Sequence, residues 1–219
     1  MQLFLSSCWR NVTYLARYFA IQSTCFYIYC HRATTFPAVH HARTSDREDD
    51  LCRVRIHIAT GSNLGNRFNH LEEADQRMAT MLGTVIRVSP TYCTKAVGMA
   101  PNTPDFLNRV TELDLSPAWH DQPEKVMEAL LSIEQEMGRI RSERGLASRP
   151  IDLDVVLWGD AALNLPNLRV PHPRMLQRRF VLKPLSDLVP GQRIAGDGRT
   201  VAECLADLPA DVPQIAPWP

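Results

Sequence analysis

The segment from Arg149 to Trp158 constrains the fold of this chain more than any other, because apolar and polar residues alternate along it. Such alternation predicts a β-strand. One face is predicted to carry the apolar residues Ile151, Leu153, Val155 and Leu157. Asp152 and Asp154 then share the other face, since side chains two residues apart in a strand point the same way. Two carboxylates this close repel each other, so we expect positive charge beside them.

The charges around this strand indicate what the two carboxylates bind. Proteins usually hold Mg²⁺ through one or two carboxylates together with substrate phosphates. Cations cluster before the strand at Arg139, Arg141, Arg144 and Arg149, and after it at Arg169, Arg174, Arg178, Arg179 and Lys183. Because the guanidinium fork matches phosphate oxygens, the combination favours a site for a polyphosphate–Mg²⁺ complex. The alternative is a solvated strand face with two incidental aspartates and ordinary surface arginines.

Composition restricts the possible partners. A length of 219 residues suggests one domain with additional segments. The net charge is zero, but residues 1–45 hold four arginines and no acid, which leaves 20 basic and 24 acidic residues for the rest. A body with this balance is a poor general nucleic-acid binder, so its basic clusters suit a small anionic ligand. We expect a monomer that binds neither nucleic acid nor a membrane.

The cysteines and the N-terminal segment bear on location. None of the six cysteines forms a Cys-x-x-Cys pair, which indicates reduced thiols and a cytoplasmic protein. Residues 12–30 are too polar for a clear membrane span, and a charged start typical of a secretory signal is missing. The acid-free composition with arginines is also typical of an organelle transit peptide. We therefore expect residues 1–50 to be an extension, either disordered or the product of a wrong start codon, and residues 51–219 to form the folded domain.

The remaining elements predict an α+β fold. Strands are predicted over residues 53–59, 85–92 and 106–115, and helices from the turn at residues 60–66 to about Met81 and over residues 122–137. The glycines of that turn lack the Lys and Ser/Thr of a phosphate-binding loop and the spacing of a dinucleotide motif. Two helices separated by hairpin-connected strands indicate a ferredoxin-like, three-layer sandwich, with one antiparallel sheet covered by helices.

Four blocks in this order resemble the 6-hydroxymethyl-7,8-dihydropterin pyrophosphokinase family of folate biosynthesis. They span residues from about 54 to 190, and the third is the most specific. The blocks are residues 58–65; residues 89–92, Thr94 and residues 104–108; Ile133, Glu134, residues 138–141 and 149–154; and residues 170–175, Arg178, residues 180–182, Pro184 and Leu185.

This resemblance implies a reaction and a set of site residues. The family transfers pyrophosphate from ATP to the hydroxymethyl group of the dihydropterin and releases AMP, using two Mg²⁺ ions. The resemblance assigns the metal to Asp152 and Asp154, and catalysis to Arg139 and Arg149. It assigns ATP binding to Glu134, Arg139, Arg141, Arg149, Val155, His172 and Arg178. It assigns the pterin to Thr94, Val97, Phe106, Asn108, Asp152 and Phe180, with the ring held between two aromatic side chains.

The chain departs from the family pattern in two loops. The family often has a Trp-Gly-Pro-Arg run where this chain has Leu146-Ala147-Ser148-Arg149, and often has prolines after Thr94 where this chain has Lys95-Ala96. Both loops are expected to close over the substrates, so the departures bear on closure and affinity rather than on the chemistry.

Two other functions are compatible with parts of the pattern. The first is a non-catalytic nucleotide-binding or regulatory module on the same fold. The presence of Arg149, Asp152 and Asp154 argues against it, because a decayed site would be expected to lose its metal ligands first. The second is a different Mg²⁺-dependent nucleotidyl or glycosyl transferase. The blocks around Phe106, Asn108 and His172 argue against that one.

The position of the first predicted strand generates a test. A chain that starts at Arg53 should fold and keep the full turnover of the 219-residue protein, because residues 1–50 are predicted to add nothing to the catalytic domain. Circular dichroism and a turnover assay on both proteins measure this. Loss of folding or of turnover on truncation would assign the N-terminal segment to the structure.

Overall fold

A computed structural model describes residues 53–96, 98–140 and 147–219. Within these ranges the helices are α1 (Arg67–Met81), α2 (Pro123–Glu136), α3 (Arg179–Leu188) and α4 (Val201–Ala206). The strands are β1 (Arg55–Ser62), β2 (Gly83–Val88), β3 (Tyr92–Thr94), β4 (Phe106–Leu115), β5 (Asp152–Trp158), β6 (Leu163–Asn164), β7 (Arg169–Val170) and β8 (Ala216–Pro217). No helix in these ranges is long and apolar enough to cross a bilayer.

The main sheet has the strand order β5-β1-β4-β3-β8, and β2 pairs with β4 beside β3. All of these pairings are antiparallel. Helices α1 and α2 cover one face through a core that includes Leu71, Met78, Leu130 and Ile133. Helices α3 and α4 belong to a second core with Val110 and Val156 on the other face. The predicted three-layer α+β sandwich is thereby confirmed.

Buried charges attach α1 to the sheet. Arg109 on β4 is 3 % exposed, and its guanidinium donates to Asp75 Oδ2 (2.5 Å) and Glu72 Oε1 (2.6 Å). Thr111 donates to the other oxygen of Asp75 at 2.7 Å. Burial raises the pKa of Asp75, although Arg109 and Thr111 oppose the rise. Since an unpaired buried charge is costly, this network fixes where α1 lies along β4.

The predicted bounds of several elements agree with the structure, and others need correction. The strand over residues 106–115 and the helix over residues 122–137 are confirmed to within one residue. The first strand starts later than predicted and runs through Ser62, so the predicted turn begins three residues too early. The strand predicted over residues 85–92 is two strands. They separate at Pro90, which has no N–H to donate to a ladder.

The predicted alternation of β5 fails at one residue. Ile58 of β1 pairs with Val155, whereas the preceding residue, His57, pairs with Leu157, so Val156 is an additional residue in β5. This bulge turns Leu157 to the same face as Val156, and both pack in the second core. Leu157 therefore does not share a face with Leu153 and Val155. The bulge lies after the two aspartates and leaves their shared face intact.

The start of β2 generates a stability test. A Cβ at Gly83 would lie 2.1 Å from the carbonyl oxygen of Asp114 and 2.8 Å from the backbone nitrogen of Ser116. Gly83→Ala should therefore force β2 and β4 apart and lower the free energy of unfolding by about 1–3 kcal/mol. Urea denaturation measures this.

Gly191→Ala is the matched control. A Cβ there would have no atom within 4 Å, so the free energy of unfolding should change by less than about 0.5 kcal/mol. Equal midpoints for the two alanine variants would contradict the predicted clash.

Candidate active site

The candidate site lies near the C-terminal end of β1, where β1 pairs with β4 on one side and with β5 on the other. Gly61 of β1 pairs with Asn108 of β4 on one side and with Asp152 of β5 on the other. A Cβ at Gly61 would lie 3.0 Å from Asn108 Oδ1 and 4.0 Å from both Asp152 Cβ and a ring carbon of Phe106. Only glycine thus leaves open space between these side chains. The sheet register brings a predicted pterin ligand and a predicted metal ligand into one row.

Two arginines compensate the charge of Asp152. Arg139 contacts Asp152 Oδ1, and Arg149 Nη1 lies 3.0 Å from Asp152 Oδ2. Arg139 also donates to Glu134 Oε1, which accepts the backbone N–H of Leu153 at 2.8 Å. The network therefore connects the end of α2 to the start of β5. It brings together both predicted catalytic arginines and one predicted metal ligand.

Asp154 faces the same space as Asp152. Burial, followed by the neighbouring charge of Asp152, raises the pKa of Asp154. The nearby His172, Arg178 and Arg139 act in the opposite direction and lower the pKa of Asp154. Within the described ranges no hydrogen bond or ion pair engages the Asp154 carboxylate.

The two carboxylates fit a hard cation. Across residues 53–96, 98–140 and 147–219, no three His, Cys, Asp or Glu side chains form a group that could hold a metal ion by themselves. Asp152 and Asp154 supply two hard oxygen donors on one strand face, and burial and mutual repulsion raise the pKa of Asp154. A divalent cation would relieve this repulsion. Two protein carboxylates with the remaining ligands from water or phosphate are the donor set typical of Mg²⁺.

His172 and Arg178 lie on the same side as Asp154. The backbone N–H of His172 donates to Val156 O of β5 (3.0 Å), and His172 Nδ1 accepts from the backbone N–H of Arg174 (3.1 Å). Burial lowers the pKa of His172, and the charges of Arg178 and Arg174 lower it further against the opposing effect of Asp154. Burial also lowers the pKa of Arg178, which stays a cation. Arg178 therefore supplies the positive charge on this side of the two carboxylates, and His172 supplies an imidazole whose lowered pKa favours the neutral form.

The predicted pterin residues form the neighbouring part of the site. Asn108 is buried and donates from Nδ2 to Thr94 Oγ1 at 2.6 Å, so its Oδ1 stays directed toward Gly61. Phe106 lies under the guanidinium of Arg149, 5.5 Å from ring centre to Cζ. The ring of Phe180 lies 5.5 Å from Arg178 Cζ. Each aromatic ring therefore neighbours an arginine assigned to ATP.

Other predicted site residues need individual comment. Arg141 and Val97 lie outside the described residues, as does most of the loop that lacks the family's Trp-Gly-Pro run. The Val155 side chain is 2 % exposed and packs in the first core, so any contact with ATP would use its backbone. Glu134 is also 2 % exposed, so it is not a solvated carboxylate on the surface of α2. Its predicted contact with ATP stays a prediction.

Asn63 is a site residue that motif reading did not assign. Its side chain is fully buried and donates to Pro104 O (3.3 Å) and Ser148 Oγ (3.1 Å). Its Oδ1 accepts the backbone N–H of Arg149 at 2.8 Å, and its own N–H donates to Arg149 O at 3.2 Å. Asn63 thus fixes the backbone that presents Arg149. The sequence signals were its place in the turn after β1 and in the first of the four blocks, residues 58–65.

Comparison with known proteins shows the family to which this chain is similar. Residues 57–190 match the family model for 7,8-dihydro-6-hydroxymethylpterin-pyrophosphokinase. The chain is 40 % identical over 156 residues to a Pseudomonas aeruginosa 2-amino-4-hydroxy-6-hydroxymethyldihydropteridine pyrophosphokinase, covering 71 % of this chain and 92 % of the relative. A Synechocystis protein of the same name is 32 % identical over 163 residues, covering 74 % and 78 %.

Two further comparisons concern longer proteins. A Pisum sativum protein named folate synthesis bifunctional protein, mitochondrial, is 34 % identical over 154 residues, which cover 70 % of this chain and 29 % of that protein. A crystal structure of Plasmodium falciparum HPPK-DHPS with pteroate shares the fold, with a TM-score of 0.55 and 13 % identity over 70 % of this chain and 43 % of that chain. The family model covers more than half of this sequence, and the chain belongs to the 7,8-dihydro-6-hydroxymethylpterin-pyrophosphokinase family.

Proposed function

We propose that this protein transfers the terminal pyrophosphate of ATP to 6-hydroxymethyl-7,8-dihydropterin and releases AMP. The observation that carries the proposal is the row Asn108, Gly61 and Asp152, which joins a pocket for a flat ring to a charged site for a polyphosphate. A nucleotide-binding module would need only the charged side of this row. The proposed reaction needs both sides, because the hydroxymethyl group of one substrate must reach a phosphorus atom of the other.

The charged side chains would bind different parts of the ATP–Mg²⁺ complex. Asp152 and Asp154 would hold Mg²⁺, which when bound neutralises phosphate oxygens and polarises the attacking hydroxyl; we propose two ions. Arg139 and Arg149 already lie against Asp152, so they would meet the polyphosphate without large movements. Guanidinium groups stabilise the charge that develops on the transferring group. His172 and Arg178 would bind the phosphates from the side of Asp154, while Arg141 and the Val155 backbone are proposed to bind elsewhere on ATP.

The apolar and amide groups position the pterin. Phe106 and Phe180 would hold the two faces of the ring, and Asn108 would read its edge, with Thr94 fixing the orientation of the amide. Val97 is proposed to border the same pocket. Arg149, which we propose as the cation for the transferring group, contacts Phe106 and would therefore lie beside the proposed ring site. Orientation of the two substrates therefore depends on side chains that contact each other.

One assay tests the proposal. The purified 219-residue protein is mixed with Mg²⁺, ATP and 6-hydroxymethyl-7,8-dihydropterin, and the products are separated by chromatography. AMP and the pterin diphosphate should appear in equal amounts, and neither should form when Mg²⁺ is chelated. Release of ADP, or no reaction with the pterin, would refute the proposed transfer.

Location and assembly remain predictions of the sequence. Reduced cysteines favour the cytoplasm, and the acid-free residues 1–45 leave organelle import as the alternative. The name of the Pisum sativum relative places that protein in mitochondria. Fractionation of cells with an antibody to the folded domain would decide between the two compartments, and light scattering would test the proposed monomer.

The carboxylate pair generates a prediction about metal dependence. Asp154→Ala should lower turnover by about 10²–10³-fold while the protein stays folded, because it removes a proposed Mg²⁺ ligand. The half-saturating Mg²⁺ concentration should rise as well. Asp211→Ala, which removes an exposed carboxylate far along the sequence, is the control and should leave both quantities unchanged. Near-normal turnover of the Asp154 variant would remove Asp154 from the metal site.

Arg149 generates a prediction about the transition state. If Arg149 acts mainly on charge that develops during transfer, Arg149→Ala should reduce single-turnover rates by about 10²–10³-fold and change the Kd of ATP far less. Arg149→Lys should restore only part of the rate, because lysine keeps the charge but loses the planar fork. Rapid-quench kinetics and calorimetric titration of ATP measure the two quantities.

The matched control is Arg193→Ala, which removes an exposed arginine between α3 and α4 and should change neither quantity. Equal losses in ATP binding and in the transfer rate of Arg149→Ala would indicate uniform binding and refute the transition-state role.

A further inference from the structure

The C-terminal segment of the chain extends the main sheet. Strand β8 pairs with the outer edge of β3, with Pro217 opposite Tyr92 and Ala216 opposite Cys93. The backbone N–H of Trp218 then donates to Thr91 O at 2.8 Å. These residues lie beyond the region that matches the family model, which ends at residue 190. The edge of the sheet next to the proposed pterin pocket is therefore formed by a segment that the family model does not describe.

The strand that β8 covers supports the proposed pterin pocket. The inner edge of β3 pairs with β4, so that Thr94 lies opposite Phe106 and Tyr92 lies opposite Asn108. β3 is only three residues long, and a strand this short has few hydrogen bonds of its own to fix it. Pairing on both edges fixes its position. Through β3, the C-terminal segment restrains the strand that presents Thr94 to Asn108.

The side chain of Trp218 makes a second connection to the pocket. Its ring lies 5.3 Å from the guanidinium carbon of Arg67, at the start of α1. Arg67 Nη1 donates to the carbonyl oxygen of Asp105 at 2.6 Å, directly before Phe106. The Asp105 carboxylate also pairs with Lys95, 2.8 Å away at the other end of the same loop. Trp218 is thus connected through Arg67 to Asp105, which joins the two ends of the loop between β3 and β4.

Trp218 lies outside both hydrophobic cores, although more than half of the residue is buried. The residue is 39 % exposed, so part of its ring is removed from water and contributes to folding. The ring contacts Arg67, and the backbone N–H of Trp218 donates to Thr91 O. Arg67 in turn contacts the carbonyl of Asp105, and Thr91 directly precedes β3. The contacts of Trp218 therefore lead toward the proposed pocket rather than into a core.

We propose that Trp218 is a positioning residue for the pterin pocket. It holds β3 and the Asp105 carbonyl in place, so that Phe106 and the Thr94–Asn108 pair keep their binding geometry before substrate arrives. Pre-organisation of this kind improves substrate affinity because less ordering remains to be done on binding. The identity of the ligand rests on the proposed function, whereas the restraint on the pocket does not.

Kinetics with two substitutions test the proposal on the full-length chain. Trp218→Ala should raise the KM of the pterin about 3- to 10-fold, the range expected for loss of a partly exposed cation–π contact and its restraint. The KM of ATP and kcat should change by less than about 2-fold. Trp218→Phe keeps an aromatic face for Arg67 and should restore most of the pterin KM. Pro219→Ala is the control at the adjacent terminal residue and should match the wild type.

Stability and kinetics together distinguish positioning from a merely structural role. An unchanged pterin KM in Trp218→Ala would overturn the proposal. So would an equal rise in the KM of ATP, or a failure of Trp218→Phe to recover the pterin KM. A lowered urea midpoint that accounts for the loss in kinetics would also overturn it, because the effect would then be on folding.

Hydrogen exchange tests the restraint without any activity. In the substrate-free protein, the amides of residues 91–94 and 106–108 should exchange faster in Trp218→Ala than in the wild type, and the Trp218→Phe protein should resemble the wild type. Unchanged exchange would overturn the proposal. If the wild type releases no AMP, the proposed function fails while the exchange result still decides whether Trp218 restrains these two strands.

Discussion

The site depends on how the charge of Asp152 is compensated. Its carboxylate lies between Arg139 and Arg149, and Glu134 completes the network by accepting both Arg139 and the backbone N–H of Leu153. Three segments of the chain therefore meet at one charge: the end of α2, the residues before β5, and β5 itself. Loss of Arg139 would remove a cation that contacts both Asp152 and the buried Glu134, which is costly in a buried network. The same arrangement holds two guanidinium groups beside Asp152, where we propose that the polyphosphate binds.

The sequence predicted the fold class and the two aspartates because both depend on local periodicity. Asp152 and Asp154 share a face in any regular strand, and the helix over residues 122–137 has a clear apolar stripe. The errors come from non-local effects. The bulge that turns Leu157 is set by pairing with β1, and the close approach at Gly61 exists only once β4 and β5 are in register. Asn63 was missed for the same reason, since its partners lie 41 and 85 residues away in sequence.

The second helical layer contributes to the site from behind the sheet. Tyr92 of β3 donates from its hydroxyl to Asp187 Oδ2 at 2.5 Å, and Lys183 contacts the same carboxylate. Asp187 and Lys183 both belong to α3, the helix that carries Phe180 near its start. The strand beside Asn108 and the helix that presents Phe180 are thus joined by side chains. The distance between the two aromatic faces proposed for the pterin is set by the packing of α3 on the sheet as well as by the loops.

The contacts of Asn63 join the loop after β3 to the loop before β5. One amide holds the carbonyl of Pro104, at the end of the loop after β3, and also Ser148 and Arg149, at the end of the loop before β5. One amide therefore joins an end of each loop. This chain departs from the family pattern at Lys95-Ala96 in one loop and at Leu146-Ala147 in the other. Substitutions at these positions can therefore change the loops without removing the contact by which Asn63 holds the backbone of Arg149.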